Sequence, residues 1–149
     1  MVDAERAALD VALRALAHRD LSTVALRAKL TAAGIDDSLA EQTVERLVRD
    51  GLVNDERAAA VRAAGLAGRG YGDRAIDGRL ERDGFDRSCR EGALAGLEPE
   101  EARARAIAGS ARERDLRRVA AGLERRGFGP DAVESALVQV DAQGEAELR

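Results

Sequence analysis

Arginine is the residue type with the most chemistry to offer in this chain. Arg19, Arg69 and Arg112 recur at one position of an internal repeat, three residues before Ser22, Gly72 and Asp115. From Arg103 to Arg126, eight arginines stand against Glu113, Asp115 and Glu124, a local +5 within a chain of net charge −4. A planar guanidinium forks onto carboxylates and phosphates through two parallel hydrogen bonds, so these positions suit an acidic protein face or a nucleic-acid backbone. Arg114, Arg117, Arg118, Arg125 and Arg126 spread over one expected helix with Val119 and Leu123 facing inward. Tyr71 and Arg74 join Arg69 as candidate contacts. The competing reading is a solvated helix face carrying exposed ion pairs, each contributing about 0–1 kcal/mol. Only Tyr71, Phe85 and Phe128 are aromatic, so a base-stacking platform is not expected.

The other reactive side chains are scarce. His18 is the single histidine, placed at a helix end where its charge would suit the dipole. Cys89 is the single cysteine, which excludes a disulfide framework and a cysteine metal cage. A helix start can activate a thiol, but a small, half-buried residue is the simpler reading. Gly65, Gly68, Gly70 and Gly72 lack the preceding strand and the Gly-Lys-Ser/Thr ending of a phosphate loop; helix termination before Tyr71 accounts for them. Asp36-Asp37-Ser38 has the form of a cap, not of a calcium loop. No catalytic constellation, metal site or cofactor site is expected, and the chain reads as a binding protein, not an enzyme.

These arginines must be carried by helices. Three stretches align without a gap: Arg19 to Leu47, Arg69 to Leu97 and Arg112 to Val140. Ser22, Gly72 or Asp115 opens each as an N-cap. Leu26, Ile76 or Val119 and then Leu30, Leu80 or Leu123 follow at spacing four, on one helical face. Gly34, Gly84 or Gly127 then stops the helix, and Ile35, Phe85 or Phe128 folds back onto the leucine. Ser38 with Glu41 and Ser88 with Glu91 form expected capping boxes. Asp131 with Glu134 is the third version, unless Pro130 is already the first helical residue.

A further helix precedes each pair. It covers residues 4–18, with Leu9, Leu13 and Leu16 on one face; residues 55–68, with Val61 and Leu66; and residues 99–110, starting at Pro99. The expected fold is all-α: an elongated array of three tandem three-helix repeats, about nine short helices with no sheet. The expected boundaries are 4–53, 54–98 and 99–141, with fraying at Val2 to Glu5 and over 142–149.

Composition sets the broad class. Of 149 residues, 45% are hydrophobic and 35% charged, enough for small aliphatic cores and too acidic overall for a whole-chain polyanion binder. No apolar stretch approaches the roughly 20 residues of a membrane span. The start, Met1-Val2-Asp3-Ala4-Glu5-Arg6, lacks the form of a signal peptide, so a soluble, cytoplasmic protein is expected, and separately a monomer.

The run Ala15-Leu16-Ala17-His18-Arg19-Asp20-Leu21-Ser22, then Leu26 to Leu30, then Gly34-Ile35, resembles the opening repeat of the RecX family of recombinase regulators. Gly51-Leu52-Val53-Asn54-Asp55-Glu56-Arg57 matches that family's most recognisable stretch. Arg69-Gly70-Tyr71-Gly72 with Ile76, Leu80, Gly84 and Phe85 resembles its middle repeat, and Arg125-Arg126-Gly127-Phe128 its closing one. The resemblance runs from about residue 9 to residue 140. It implies three tandem three-helix repeats and a non-enzymatic modulator, most of all an inhibitor, of the RecA recombinase in DNA repair and the SOS response. Family members dock in the groove of the RecA–DNA filament, and many also contact single- or double-stranded DNA.

The acidic total, and Ala58-Ala59-Ala60 where an aromatic is common in the family, shift the expectation toward protein docking. The alternative is a helical DNA-binding protein of the helix-turn-helix kind acting without RecA. A third is a general helical adaptor for an unrelated partner.

Overall fold

Short amphipathic runs separated by glycine dictate many helix ends, and the computed structural model, which describes residues 2–149, shows them. Among the described residues there are nine helices and no strand. They are α1 (Val2–His18), α2 (Thr23–Ala32), α3 (Asp37–Arg49), α4 (Asp55–Gly68), α5 (Asp73–Arg82), α6 (Arg87–Ala95), α7 (Glu100–Ser110), α8 (Leu116–Arg125) and α9 (Pro130–Glu147). None is long and apolar enough to cross a membrane. The last runs on to Glu147, through the segment expected to fray.

The helices pack in threes, each three around its own core. Leu26, Leu30 and Leu47 meet Ala12 and Ala40 in the first. Leu66, Ile76, Leu80 and Phe85 meet Ala59 and Ala63 in the second. Leu123, Phe128 and Val140 meet Ala104 and Ala136 in the third. The extensive helix–helix contacts all fall inside these groups. Three small cores in a row leave much surface: 9450 Å² is accessible, against about 7,300 Å² expected of a compact monomer of this mass. The shape is that of an elongated array.

Alanine is the main inward-facing residue of the first helix of each group, joined in α4 by Leu66. In α1 the fully buried residues are Ala8 and Ala12, and Leu13 is exposed, contrary to the expected Leu9, Leu13 and Leu16 face. Leu9 and Leu16 lie along the edge of the core. In α4, Ala58, Ala59, Ala63 and Leu66 are buried while Val61 points outward. Small residues let the helix axes approach closely, so the larger side chains are displaced to the flanks.

The expected glycine stops form. Gly34, Gly84 and Gly127 have φ of 87°, 94° and 91°. Ile35, Phe85 and Phe128 donate their amides to the carbonyls of Leu30, Leu80 and Leu123 at 3.0–3.1 Å, closing Schellman motifs. Gly51 and Gly70 do the same after α3 and α4, with Leu52 on Leu47 and Tyr71 on Leu66.

Helix starts differ from expectation in the second halves of the repeats. Ser22 and Asp115 cap as expected, and Gly72 occupies the equivalent position without a side chain to cap. The capping boxes at Ser38, Ser88 and Asp131 do not form, because helix begins two residues earlier at caps Asp36, Asp86 and Gly129. The residue after each glycine stop is pinned by its Schellman bond, which leaves room for only one extended residue before the next helix. Pro130 is the first helical residue of α9, and Pro99 caps α7 instead of opening it.

The two ends of the array set up a clean comparison between backbone strain and crowding. A Cβ on Gly34 would meet nothing, whereas one on Gly127 would lie 2.5 Å from Ala75 Cβ and 2.6 Å from Ala75 N. Gly34→Ala is expected to lose about 1 kcal/mol from positive φ alone. Gly127→Ala should lose about 3 kcal/mol, since it adds overpacking against α5. Urea denaturation of the two variants measures the difference; equal losses would show that the Gly127 contact carries no weight.

Candidate partner-binding surface

The candidate arginines are positioned by the junctions between repeats, and both junctions use one design. The N-terminus of the middle helix of one repeat abuts the glycine stop of the next. At the first junction, the Ser22 hydroxyl donates to the carbonyl of Asp83, just before Gly84. At the second, the Gly72 amide donates to the carbonyl of Arg126 at 2.8 Å, just before Gly127, and the Arg74 amide to that of Gly127 at 3.1 Å.

A carboxylate clasps each joint. Asp55, the first residue of α4, accepts from Thr23 N at 2.8 Å and Thr23 Oγ1 at 3.0 Å. Glu100, the first residue of α7, accepts from Asp73 N at 3.0 Å and Gly129 N at 3.1 Å. Each carboxylate satisfies orphan amides and faces the positive end of a helix dipole.

Arg103 belongs to this joint and not to the exposed basic surface. Its guanidinium is buried, donating to the carbonyls of Glu98 (3.0 Å) and Tyr71 (3.1 Å) and pairing with Asp73. It also lies 5.9 Å from the centroid of the Phe128 ring. Arg105 is half-buried and donates to Ser135 Oγ at 2.7 Å. Composition alone gives these two arginines the same standing as the exposed ones; their neighbours in space remove them.

The remaining candidates divide into two groups. Arg69, Tyr71, Arg74 and Arg126 gather at the second junction. Arg79 lies over the Tyr71 ring at 4.2 Å, Arg69 sits 6.0 Å from its centroid, and Arg126 Nη1 donates to the carbonyl of Gly70 at 3.4 Å. Arg19 lies at the first junction and lines a cleft together with Arg69. The other group surrounds the start of α8. Arg112 and Arg114 lie in the link before the helix, not on it, and Arg117 and Arg118 are in its first turn. Arg114 pairs with Glu147 at 3.5 Å and Arg118 with Glu113 at 3.6 Å. Arg125 and Arg126 stand at the far end, a helix length of about 15 Å away. Thus Arg19 and Arg69 share a surface, and Arg112, the third member of their column, does not.

Sequence reasoning missed Arg79, the clasps Asp55 and Glu100, and the inward turn of Arg103. The clasps stand 45 residues apart while the aligned columns of the second and third repeats stand 43 apart, so a gapless alignment hides their equivalence. Their readable signal was a carboxylate in the first turn of both α4 and α7.

Cys89 is half-buried on α6, its thiol pushed up to about 11 by desolvation and by Asp86 beside it. Asp86 is held below the usual carboxylate range chiefly by the Cys89 amide that it caps. The helix start therefore does not activate this thiol: burial disfavours the thiolate most, and the Asp86 carboxylate at the helix start adds to it. Among the described residues, no three His, Cys, Asp or Glu side chains converge on a position that could hold a metal ion.

Known proteins place this architecture. Residues 8–47 match the family model described as RecX, first three-helix domain. A regulatory protein RecX from Trichlorobacter lovleyi is 38% identical over 135 residues, 82% of this chain and 88% of that protein. Another from Xanthomonas axonopodis pv. citri is 35% identical, covering 89% of this chain and 86% of its own length. The crystal structure of RecX from Lactobacillus salivarius superposes with a TM-score of 0.84 over 95% of this chain and 99% of that one, at 17% identity.

Two measurements test the local chemistry. Arg103→Ala removes a buried guanidinium and leaves the carbonyls of Glu98 and Tyr71 without their donor, and should cost about 2–3 kcal/mol in urea denaturation; a loss below about 1 kcal/mol would place Arg103 among the solvated arginines. At pH 8 the thiolate fraction of Cys89 is about one in a thousand, so alkylation by iodoacetamide should be far slower than for free cysteine. The rate should keep rising about tenfold per pH unit up to about pH 10.5, and a plateau by about pH 10, where an unshifted thiol levels off, would contradict the desolvated setting.

Proposed function

Since the chain belongs to the RecX family of regulatory proteins, we propose that it restrains the RecA recombinase by docking on the RecA–DNA filament, without catalysis. The observation that carries this reading is a rod-like row of repeats whose junctions hold arginines on the outside. A filament repeats its protomers, and a row of modules can touch more than one of them. Contacts tied together in one chain then add through effective concentration, so affinity rises when the partner assembles.

The docking surface has two parts: Arg19, Arg69, Tyr71, Arg74 and Arg126 around the junctions, and Arg112, Arg114, Arg117, Arg118 and Arg125 before and along α8. Nearly all are exposed, and Tyr71 is half-buried. Exposed guanidiniums meet acidic side chains of the filament or, where the groove reaches them, phosphates of the single- or double-stranded DNA it encloses. Electrostatic attraction of this kind hastens encounter and weakens with salt. The protein acts in this way as a monomer in the cytoplasm, one copy bridging neighbouring protomers and opposing filament growth. The three groups of helices, 4–53, 54–98 and 99–141, serve as the successive contact units.

The direct experiment titrates the protein at substoichiometric levels into RecA, single-stranded DNA and ATP. ATP hydrolysis and strand exchange should both fall; no change across the titration overturns the proposal. Arg117→Glu with Arg118→Glu should weaken co-sedimentation with filaments at least about tenfold while helicity by circular dichroism is kept. A sequence-preferring gel shift with DNA in the absence of RecA, steeply dependent on salt, would favour the helix-turn-helix alternative.

A further inference from the structure

The first junction leaves a cleft of about 240 Å³ between the start of α2 and the outer side of α4. Its floor is apolar, built from Leu21, Ala25, Ala58 and Phe85, with Val61 standing 60% exposed at its lip. Its rim is charged, and the pairing within that rim is uneven. Asp83 is taken by Arg62 at 3.0 Å, and Asp20 is taken by Arg57 at 3.7 Å. Arg19 and Arg69 have no carboxylate within ion-pair distance among the described residues, and both are exposed. The cleft thus presents two unmatched guanidiniums around a greasy hollow, in a protein that is acidic overall.

Size and chemistry narrow the occupant. The hollow is below the roughly 300–1,000 Å³ typical of small-molecule sites, and it suits one or two side chains. A sugar-phosphate backbone could satisfy the arginines but would gain nothing from the floor. A peptide segment carrying acidic residues around one apolar side chain would satisfy both. We propose that this cleft is a docking site for such a segment on a partner protein: the apolar side chain enters between α2 and α4, and flanking carboxylates take Arg19 and Arg69 as bidentate partners. The proposal rests on the reading that the chain docks on a protein assembly, and it assigns the anchoring chemistry to one place. Tyr71, whose ring centroid lies 6.0 Å from the Arg69 guanidinium, stands beside the Arg69 side of the rim, with Arg79 over its ring at 4.2 Å.

The test uses the full chain and a fluorescein-labelled peptide of Asp and Glu residues around a single central Leu, followed by fluorescence anisotropy. Wild-type protein should bind it, and exchanging the Leu for Gln should weaken binding about tenfold. Arg19→Gln with Arg69→Gln touches no core residue and should weaken binding by about tenfold or more. Val61→Glu should weaken it as well, by repelling the peptide at the lip. Arg149→Gln, at the end of the third repeat and outside both the cleft and the docking surface, should leave it unchanged.

Failure of the wild-type protein to bind the peptide, or equal binding by the Arg19/Arg69 variant, overturns the proposal. So does displacement of the peptide by single-stranded oligothymidine with the same dependence on Arg19 and Arg69, which would make the cleft a nucleic-acid contact. Co-sedimentation with RecA filaments separates this proposal from the functional one. Filament binding that ignores Arg19 and Arg69 sinks the cleft alone. Peptide binding without filament binding sinks the RecA reading and leaves the cleft.

Discussion

Helix ends, more than helix faces, join the three repeats of this chain to one another. Every short helix leaves amides unpaired at its start and carbonyls unpaired at its finish, and nine helices create many such ends. The structure pairs them across repeats. The start of α2 meets the stop before Gly84, and the start of α5 meets the stop before Gly127. Asp55 and Glu100 close the two joints from the first turn of the following repeat. A dipole interaction and a set of satisfied donors thereby do at the junction what a broad apolar interface does in larger proteins.

That choice has consequences for the surface. Because the joints are polar and narrow, they leave clefts and turns open instead of burying them. Arginines placed near helix ends therefore stay accessible, as Arg19, Arg69, Arg74 and Arg126 do. Where an arginine turns into the joint, as Arg103 does, it is consumed by Tyr71, Glu98 and Asp73. The same residue type thus serves cohesion at one position and the outer surface at another, and the division follows from which side of a joint the helix presents. The small cores lined by alanine have a related effect: they bring helices close, and Leu13 and Val61 are left on the outside.

Much of the architecture was legible beforehand, for reasons particular to a few residues. Gly34, Gly84 and Gly127 each sit four residues past a leucine and just before an apolar residue, a spacing that only a Schellman stop requires, and positive φ follows from it. Ser22 and Asp115 were legible as caps because a short acceptor there meets amides two or three residues on. The second caps were misplaced at Ser38 and Ser88 because capping boxes are recognised by side chains alone. The tight stop before them moved the helix start to Asp36 and Asp86.

What the amino-acid order determined by itself is local: where helices stop, which residues could cap them, how many repeats there are, and that arginine is the chemistry on offer. These depend on interactions within about four residues along the chain. Only the tertiary structure decided that Arg103 is buried, that Asp55 and Glu100 clasp neighbouring repeats, and that Arg19 and Arg69 border one cleft without Arg112. Those pairings join residues roughly thirty to fifty positions apart. Their partners are chosen by how one three-helix group seats on the next, which no local spacing encodes.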